Sequence, residues 1–116
     1  MAFNDAALIV GATAMRNVVT HFQLHSGAPG AAGTTNVTTA ARQPTGTGTI
    51  DADGDITWGP VNFTGVAANG AVTHVTYWSA ITGGTIYGQA ALTGDATANA
   101  AGEYTVTSVT ETSTAT

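Results

Sequence analysis

Apolar positions along the chain recur first at helical spacing and then at every second residue. Leu8, Ala12 (or Gly11), Met15 and Val19 lie three or four apart, the interval that gathers side chains on one helix face. Asn4 precedes them as an N-cap, and Asp5 falls in the first turn, where a carboxylate complements the helix dipole. The spacing predicts a helix over residues 5–17. Gly11 in its interior costs about 1 kcal/mol relative to alanine, so this helix needs tertiary packing to persist. From residue 18 to 25 the period becomes two, with Phe22 and Leu24 on one side and His21, Gln23 and His25 on the other. That alternation predicts a half-buried strand.

The strongest pattern lies over residues 72–92. Two runs rich in β-branched and aromatic residues flank Thr82-Gly83-Gly84, and a Gly-Gly pair adopts the positive φ angles of hairpin turns. The segment predicts a core β-hairpin, since Tyr77, Trp78 and Tyr87 fall on adjacent strands, where cross-strand pairing is most effective. Shorter strands are predicted at 47–50, 56–58, 61–64 and 103–111, with turns at Gly54 and at Asn69-Gly70 and a break or edge at Pro60. The last five residues are expected to fray. Between Ser26 and Gly48 glycine, alanine and threonine dominate with little periodicity. Connections of that length are functional or disordered as a rule, so residues 26–48 are expected to form a flexible arm that orders against a neighbouring subunit. The sum is a mainly β single domain over residues 1–116, a β-sandwich of roughly seven or eight short strands with one N-terminal helix.

A chain of 116 residues buries roughly two thirds of its unfolded surface on folding, enough for one core. The absence of cysteine excludes disulfides, thiolate metal sites and a Cys nucleophile. Charged residues make up 8%, lysine is absent, Arg16 and Arg42 are the only side-chain cations, and the net charge is −5. Such a surface has no basic patch to release counterions from a phosphate backbone, which argues against direct nucleic-acid binding. Low charge suits a protein packed against neighbours, copies of itself included, because free monomers need more charge to stay dispersed. The apolar run at 6–12 is far shorter than the roughly 20 residues of a membrane span. The opening Met-Ala-Phe-Asn-Asp lacks a basic n-region, so the expectation is synthesis in the cytoplasm, no export by the general route and no membrane partner.

Candidate chemistry is sparse. Asp51, Asp53 and Asp55 alternate around Gly54, a spacing that suits a hard cation, but Ile56 stands where an EF-hand loop needs glycine. A polar hairpin turn uses the same residues, and no metal or other cofactor is expected. His21 and His25 share a strand face with His74 on another strand, yet residues four apart on a strand lie about 13 Å apart, too far to ligate one ion. Ser26 or Ser79 with His74 and Asp95 makes a triad on paper without a nucleophile elbow, so no enzymatic activity is expected. Trp58, Tyr77, Tyr87 and Tyr104 offer a sugar-binding platform as the alternative to core or interface roles. Phe22, Trp58, Tyr77, Trp78, Tyr87, Tyr104 and Arg42 are taken as the core or assembly anchors.

Read together, Leu24-His25, Pro29-Gly30, Ala41-Arg42-Gln43, Trp58, Val61-Asn62-Phe63, Thr73-His74, Trp78-Ser79-Ala80 and Gly83-Gly84-Thr85-Ile86-Tyr87-Gly88 occur in an order that resembles small virion structural proteins of tailed bacteriophages. The nearest likenesses are proteins of actinobacterial phages of the minor tail, tail fibre and head decoration types, over residues 3–109. The chain departs from that pattern at Ala40-Ala41, where an aromatic often precedes Ala-Arg, and in its threonine-rich loops. The resemblance implies a β-sandwich virion component without enzymatic role, a multi-copy part of the capsid or tail exterior. Its implied partners are major capsid or tail proteins, with a host cell-surface glycan as the alternative.

Overall fold

The computed structural model describes residues 4–112. Among them the protein is mainly β, with nine strands in three antiparallel sheets and one N-terminal helix. Of the five residues expected to fray, 113–116 lie outside the described residues.

Helix α1 (Asp5–Val18) begins as its sequence dictates. The Asn4 side chain accepts a hydrogen bond from the Ala7 N–H at 3.1 Å, and Arg16 occupies the last turn, where a cation complements the negative end of the dipole. Its grip on the body is narrow. Only Ala12 is buried within it; Val10 is 70% exposed, and Met15, placed by its spacing on the apolar face, is 38% exposed. Leu8 lies close against the turn at Gly54, where an added Cβ would stand 2.9 Å from the Leu8 Cβ. Gly54 has φ +83° as well, so both the turn and the helix contact require glycine there.

In chain order the strands are β1 (His21–His25), β2 (Gln43–Pro44), β3 (Thr49–Ile50), β4 (Ile56–Trp58), β5 (Val61–Phe63), β6 (His74–Trp78), β7 (Ile86–Ala91), β8 (Tyr104–Val106) and β9 (Val109–Glu111). The central sheet runs β2-β1-β6-β7; β3-β4-β9 form a second and β5-β8 a third. Phe22 pairs with Tyr77 and Leu24 with Val75, so alternation sets all four on one face. Trp58 of the second sheet closes on that face, with ring centroids 5.8 Å from Phe22 and 5.7 Å from Tyr77. These separations fall in the favourable range for aromatic pairs. Gly48 lies against the indole: a Cβ there would be 2.8 Å from Nε1, which is buried without a hydrogen-bond partner among the described residues.

The strand expected over 103–111 is divided into β8 and β9. Trp58 faces Val109 and Val61 faces Val106, so a single ladder is interrupted where Gly59-Pro60 meets Thr107-Ser108. Pro60 has no N–H to donate, and a Cβ at Gly59 (φ +127°) would lie 2.6 Å from the Thr107 carbonyl oxygen. That interruption, with the two-residue strand β2 that the sequence did not suggest, raises the strand count to nine among the described residues, β3 falling within the strand expected over 47–50. The hairpin of residues 72–92 is present as β6 and β7, with Gly83 and Gly84 at φ +60° and +74°. Its connection is longer than a tight turn, spanning 79–85, and is closed by the Ser79 N–H donating to the Thr85 carbonyl at 3.1 Å.

Candidate functional site

On the far face of β1 and β6 the alternation places His25, Thr76 and Trp78, away from the aromatic core. Polar groups there belong in water, yet His25 and Thr76 are fully buried and Trp78 is 7% exposed. The cover is the small-residue segment 26–42, which runs back across the face. Its course is fixed by main-chain bonds: Ser26 N–H to the Asn36 carbonyl (2.8 Å), Thr35 N–H to Pro29 (3.0 Å) and Thr38 N–H to Leu24 (3.1 Å). Small residues are what the fit demands, since a Cβ on Gly33 (φ +66°) would collide with the Ile86 δ-methyl and stand 3.0 Å from the Trp78 ring. The segment expected to stand off as an arm lies as a strap on its own sheet, because its donors and acceptors find partners there.

Beneath the strap a chain of hydrogen bonds fixes one tautomer. His25 Nδ1 lies 2.9 Å from the Thr35 carbonyl, which only accepts, so Nδ1 carries the proton. Nε2 then accepts from the Thr76 hydroxyl at 2.9 Å, whose oxygen accepts the Trp78 indole N–H at 2.7 Å. Burial holds the His25 pKa below its ordinary 6.5; the Thr35 carbonyl opposes this, while His74 and Arg42 add to it. The folded chain therefore takes up this proton less readily than the unfolded one. Stability contributed by neutral His25 is present above pH 6.5 and is lost as the pH falls from there through the folded pKa. The melting midpoint is expected to drop between about pH 7 and 5, and less so in a His25→Gln variant; equal slopes would show that another group titrates.

Arg42 anchors the strap's end. Its guanidinium sits 3.7 Å from the Trp78 ring centroid, a cation–π stack. Nε donates to Gln23 Oε1 at 3.2 Å, and Nη1 donates to the carbonyls of Ala80 (3.0 Å) and Gly83 (2.7 Å). One side chain thus joins strap, sheet and hairpin loop. Of the other anchor candidates, Phe22, Trp58 and Tyr77 form the core triangle, Trp78 lies under the strap, and Tyr104 is buried with its hydroxyl donating to the Asp95 carbonyl at 2.5 Å. Tyr87 differs, being 40% exposed next to the β6–β7 register shift. Of the four aromatics considered as a sugar platform, Trp58, Tyr77 and Tyr104 are buried, drawn in by ring packing and buried hydroxyl bonds; Trp58 and Tyr77 line one groove with the exposed Tyr87, whereas Tyr104 lines another.

Two grooves border β7. One of about 260 Å³ is lined by Gly11 and Met15 of the helix and by Tyr87, Gln89 and Glu111. The Tyr77 hydroxyl donates to the Glu111 carboxylate there, and burial together with that carboxylate pushes the phenol's pKa up. The other, about 330 Å³, lies between Ala90, Ala91 and Leu92 and the strands β8 and β9.

A family model described as Podophage GP4 fiber I protein gp80 matches residues 6–114. The chain belongs to this family. No curated protein matches it. As a gp80-family fibre protein it is a structural component of a bacteriophage virion, in keeping with the tail-fibre part of the resemblance carried by its motifs. No helix among its described residues is long and apolar enough to cross a membrane.

The paper triad does not assemble in this fibre protein. The Ser26 hydroxyl donates to Asn36, the Ser79 hydroxyl accepts from the Thr85 N–H, His74 Nδ1 is bonded to Thr73, and Asp95 accepts from Thr97. His25 lies directly across from His74, but both of its nitrogens are engaged under the strap. Asp51, Asp53 and Asp55 do converge, with ligand oxygens within 4.8 Å of one another. Asp51 Oδ1 is taken up by the Asp53 and Asp55 N–H groups, each at 2.9 Å, the geometry of an Asx turn. Equal melting midpoints are expected in millimolar calcium and in sodium chloride of matched ionic strength. A rise specific to calcium, abolished by Asp53→Asn, would identify a metal site.

Proposed function

We propose that this gp80-family protein is a non-catalytic, multi-copy component of the tail exterior, assembled with copies of itself and with other tail proteins rather than decorating the capsid. The family match over residues 6–114 carries the reading. The chemistry of the chain supports it. His25, Thr76, Trp78 and Arg42 satisfy one another and the strap, so His25, which the sequence offered as a candidate ligand, serves to hold the fold. Both guanidiniums point at carbonyl oxygens, Arg16 at Gly48 and Arg42 at Ala80 and Gly83, which leaves no cationic patch for a nucleic-acid backbone. Gold-labelled antibody on intact particles tests the position, with copy number counted by mass spectrometry against the major capsid protein. Label confined to the tail in a fixed multiple per particle is the expected result; label spread over the head would overturn it.

A further inference from the structure

Among the described residues, strand edges are blunted at every place but one. β2 and β3 are two residues long and β2 includes Pro44; β5 follows Pro60, β8 follows Glu103, and β9 carries Glu111. Short strands, prolines and charges are the devices that keep an open edge from pairing with another chain. β7 has none of them. Ile86-Tyr87-Gly88-Gln89-Ala90-Ala91 is the longest strand among the described residues, uncharged and without proline, and it ends the order β2-β1-β6-β7. Its one irregularity, the register shift opposite Tyr77 and Trp78, lies at its start and leaves Gly88 to Ala91 regular.

The register fixes which backbone groups of β7 face outward. Leu92 N–H donates to the Thr73 carbonyl at 2.8 Å, so Thr73 and Leu92 form a bonded pair. Antiparallel ladders alternate bonded and non-bonded pairs. With His74 facing Ala91, Val75 facing Ala90 and Thr76 facing Gln89, Ala90 turns its N–H and C=O toward β6, while Gln89 and Ala91 turn theirs away from it. No main-chain bond from a loop or turn reaches those two residues among the described residues. Grooves border Tyr87 to Gln89 and Ala90 to Leu92, and no described strand pairs with the outer side of β7.

We propose that β7 pairs antiparallel with β7 of a second copy about a two-fold axis at Ala90, joining the two central sheets into one. The outward groups favour a second copy as the occupant. Gln89 and Ala91 are placed symmetrically about Ala90, so each meets the other's counterpart and the strand is its own complement, with about four main-chain bonds. A residue-centred axis also keeps matching faces on the same side of the joined sheet; Gly88, Ala90 and Ala91 are small enough for close approach, and the longer Gln89 side chain is turned to the Gly30 carbonyl of its own chain at 3.0 Å. The proposal rests on the multi-copy reading above and supplies its contact.

The chain has no cysteine, so Ala90→Cys introduces a single thiol. Facing Ala90 positions form a non-bonded pair with Cα atoms about 4.5 Å apart, within disulfide reach. Under mild oxidation Ala90→Cys is expected to cross-link at least about tenfold faster than Val10→Cys on the exposed helix face. Sedimentation of the unmodified protein is expected to show the mass doubling as concentration rises from micromolar to millimolar. Gln89→Pro, which removes an outward N–H, is expected to abolish that doubling; if that variant fails to fold, the cross-linking rate decides. A monomer throughout, or cross-linking of Ala90→Cys no faster than that of Val10→Cys, overturns the proposal. Tail labelling without such a dimer would remove this contact and leave the virion reading standing, whereas the dimer without tail labelling would do the reverse.

Discussion

Replacing Trp58 with alanine is expected to cost about 3–5 kcal/mol of folding stability, the largest effect of any single substitution considered for this chain. Trp58 is among the largest fully buried side chains, and it is the ring through which the second sheet meets Phe22 and Tyr77 of the central one. Alanine would leave a cavity between two sheets that the main chain at Gly48 and the Gly59-Pro60 break limit in their freedom to close. A domain of this kind has about 5–15 kcal/mol in total, so the variant sits near the edge of unfolding. Trp58→Phe is expected to cost less, because it keeps a ring in the triangle and removes an indole N–H that has no hydrogen-bond partner among the described residues. Denaturant midpoints at unchanged slope measure both. A loss below about 1 kcal/mol for the alanine variant would mean that the sheets do not depend on this ring.

The second large effect is expected at Trp78, with a different signature. Its indole donates to Thr76, its face carries Arg42, and its edge lies against Gly33 of the strap. Trp78→Ala is expected to cost about 3 kcal/mol and to release the strap ahead of the core. Hydrogen exchange reads this directly. The Ser26, Thr35 and Thr38 amides, which donate to carbonyls within the strap and on β1, are expected to be protected in the unmodified monomer and to exchange freely in the variant, while the amides of β1 and β6 slow little less than before. Fast exchange at Thr35 and Thr38 in the unmodified protein would show that the strap is not held by its own sheet.

The hairpin of β6 and β7 was legible in the sequence because it rests on local signals: β-branched and aromatic runs around a Gly-Gly pair that takes positive φ. The helix start was legible for the same reason, its cap being four residues of local chemistry. The strap was not. Residues 26–42 carry no hydrophobic period, and their attachment depends on single distant partners, Thr35 on His25 and Arg42 on Trp78. A clue lay in the residue type, since a guanidinium is suited to stack on an aromatic face. The division of 103–111 was equally hidden, for nothing between Val106 and Val109 breaks a strand; the break is imposed from across the ladder by Gly59-Pro60. Among the anchors, aromatic identity revealed size and not direction. Tyr87 follows a register shift and faces out, while Tyr77 nearby faces in.

The inward aim of both guanidiniums has a further consequence for crowded copies. With Arg16 and Arg42 turned onto carbonyl oxygens and a net charge of −5, the outward potential of each molecule is governed by its carboxylates. Neighbouring copies then repel through water over a screening distance of about 10 Å at 0.1 M ionic strength. Dilute buffer holds them apart, and raising the ionic strength brings them together, the reverse of what would hold for neighbours joined by opposite charges.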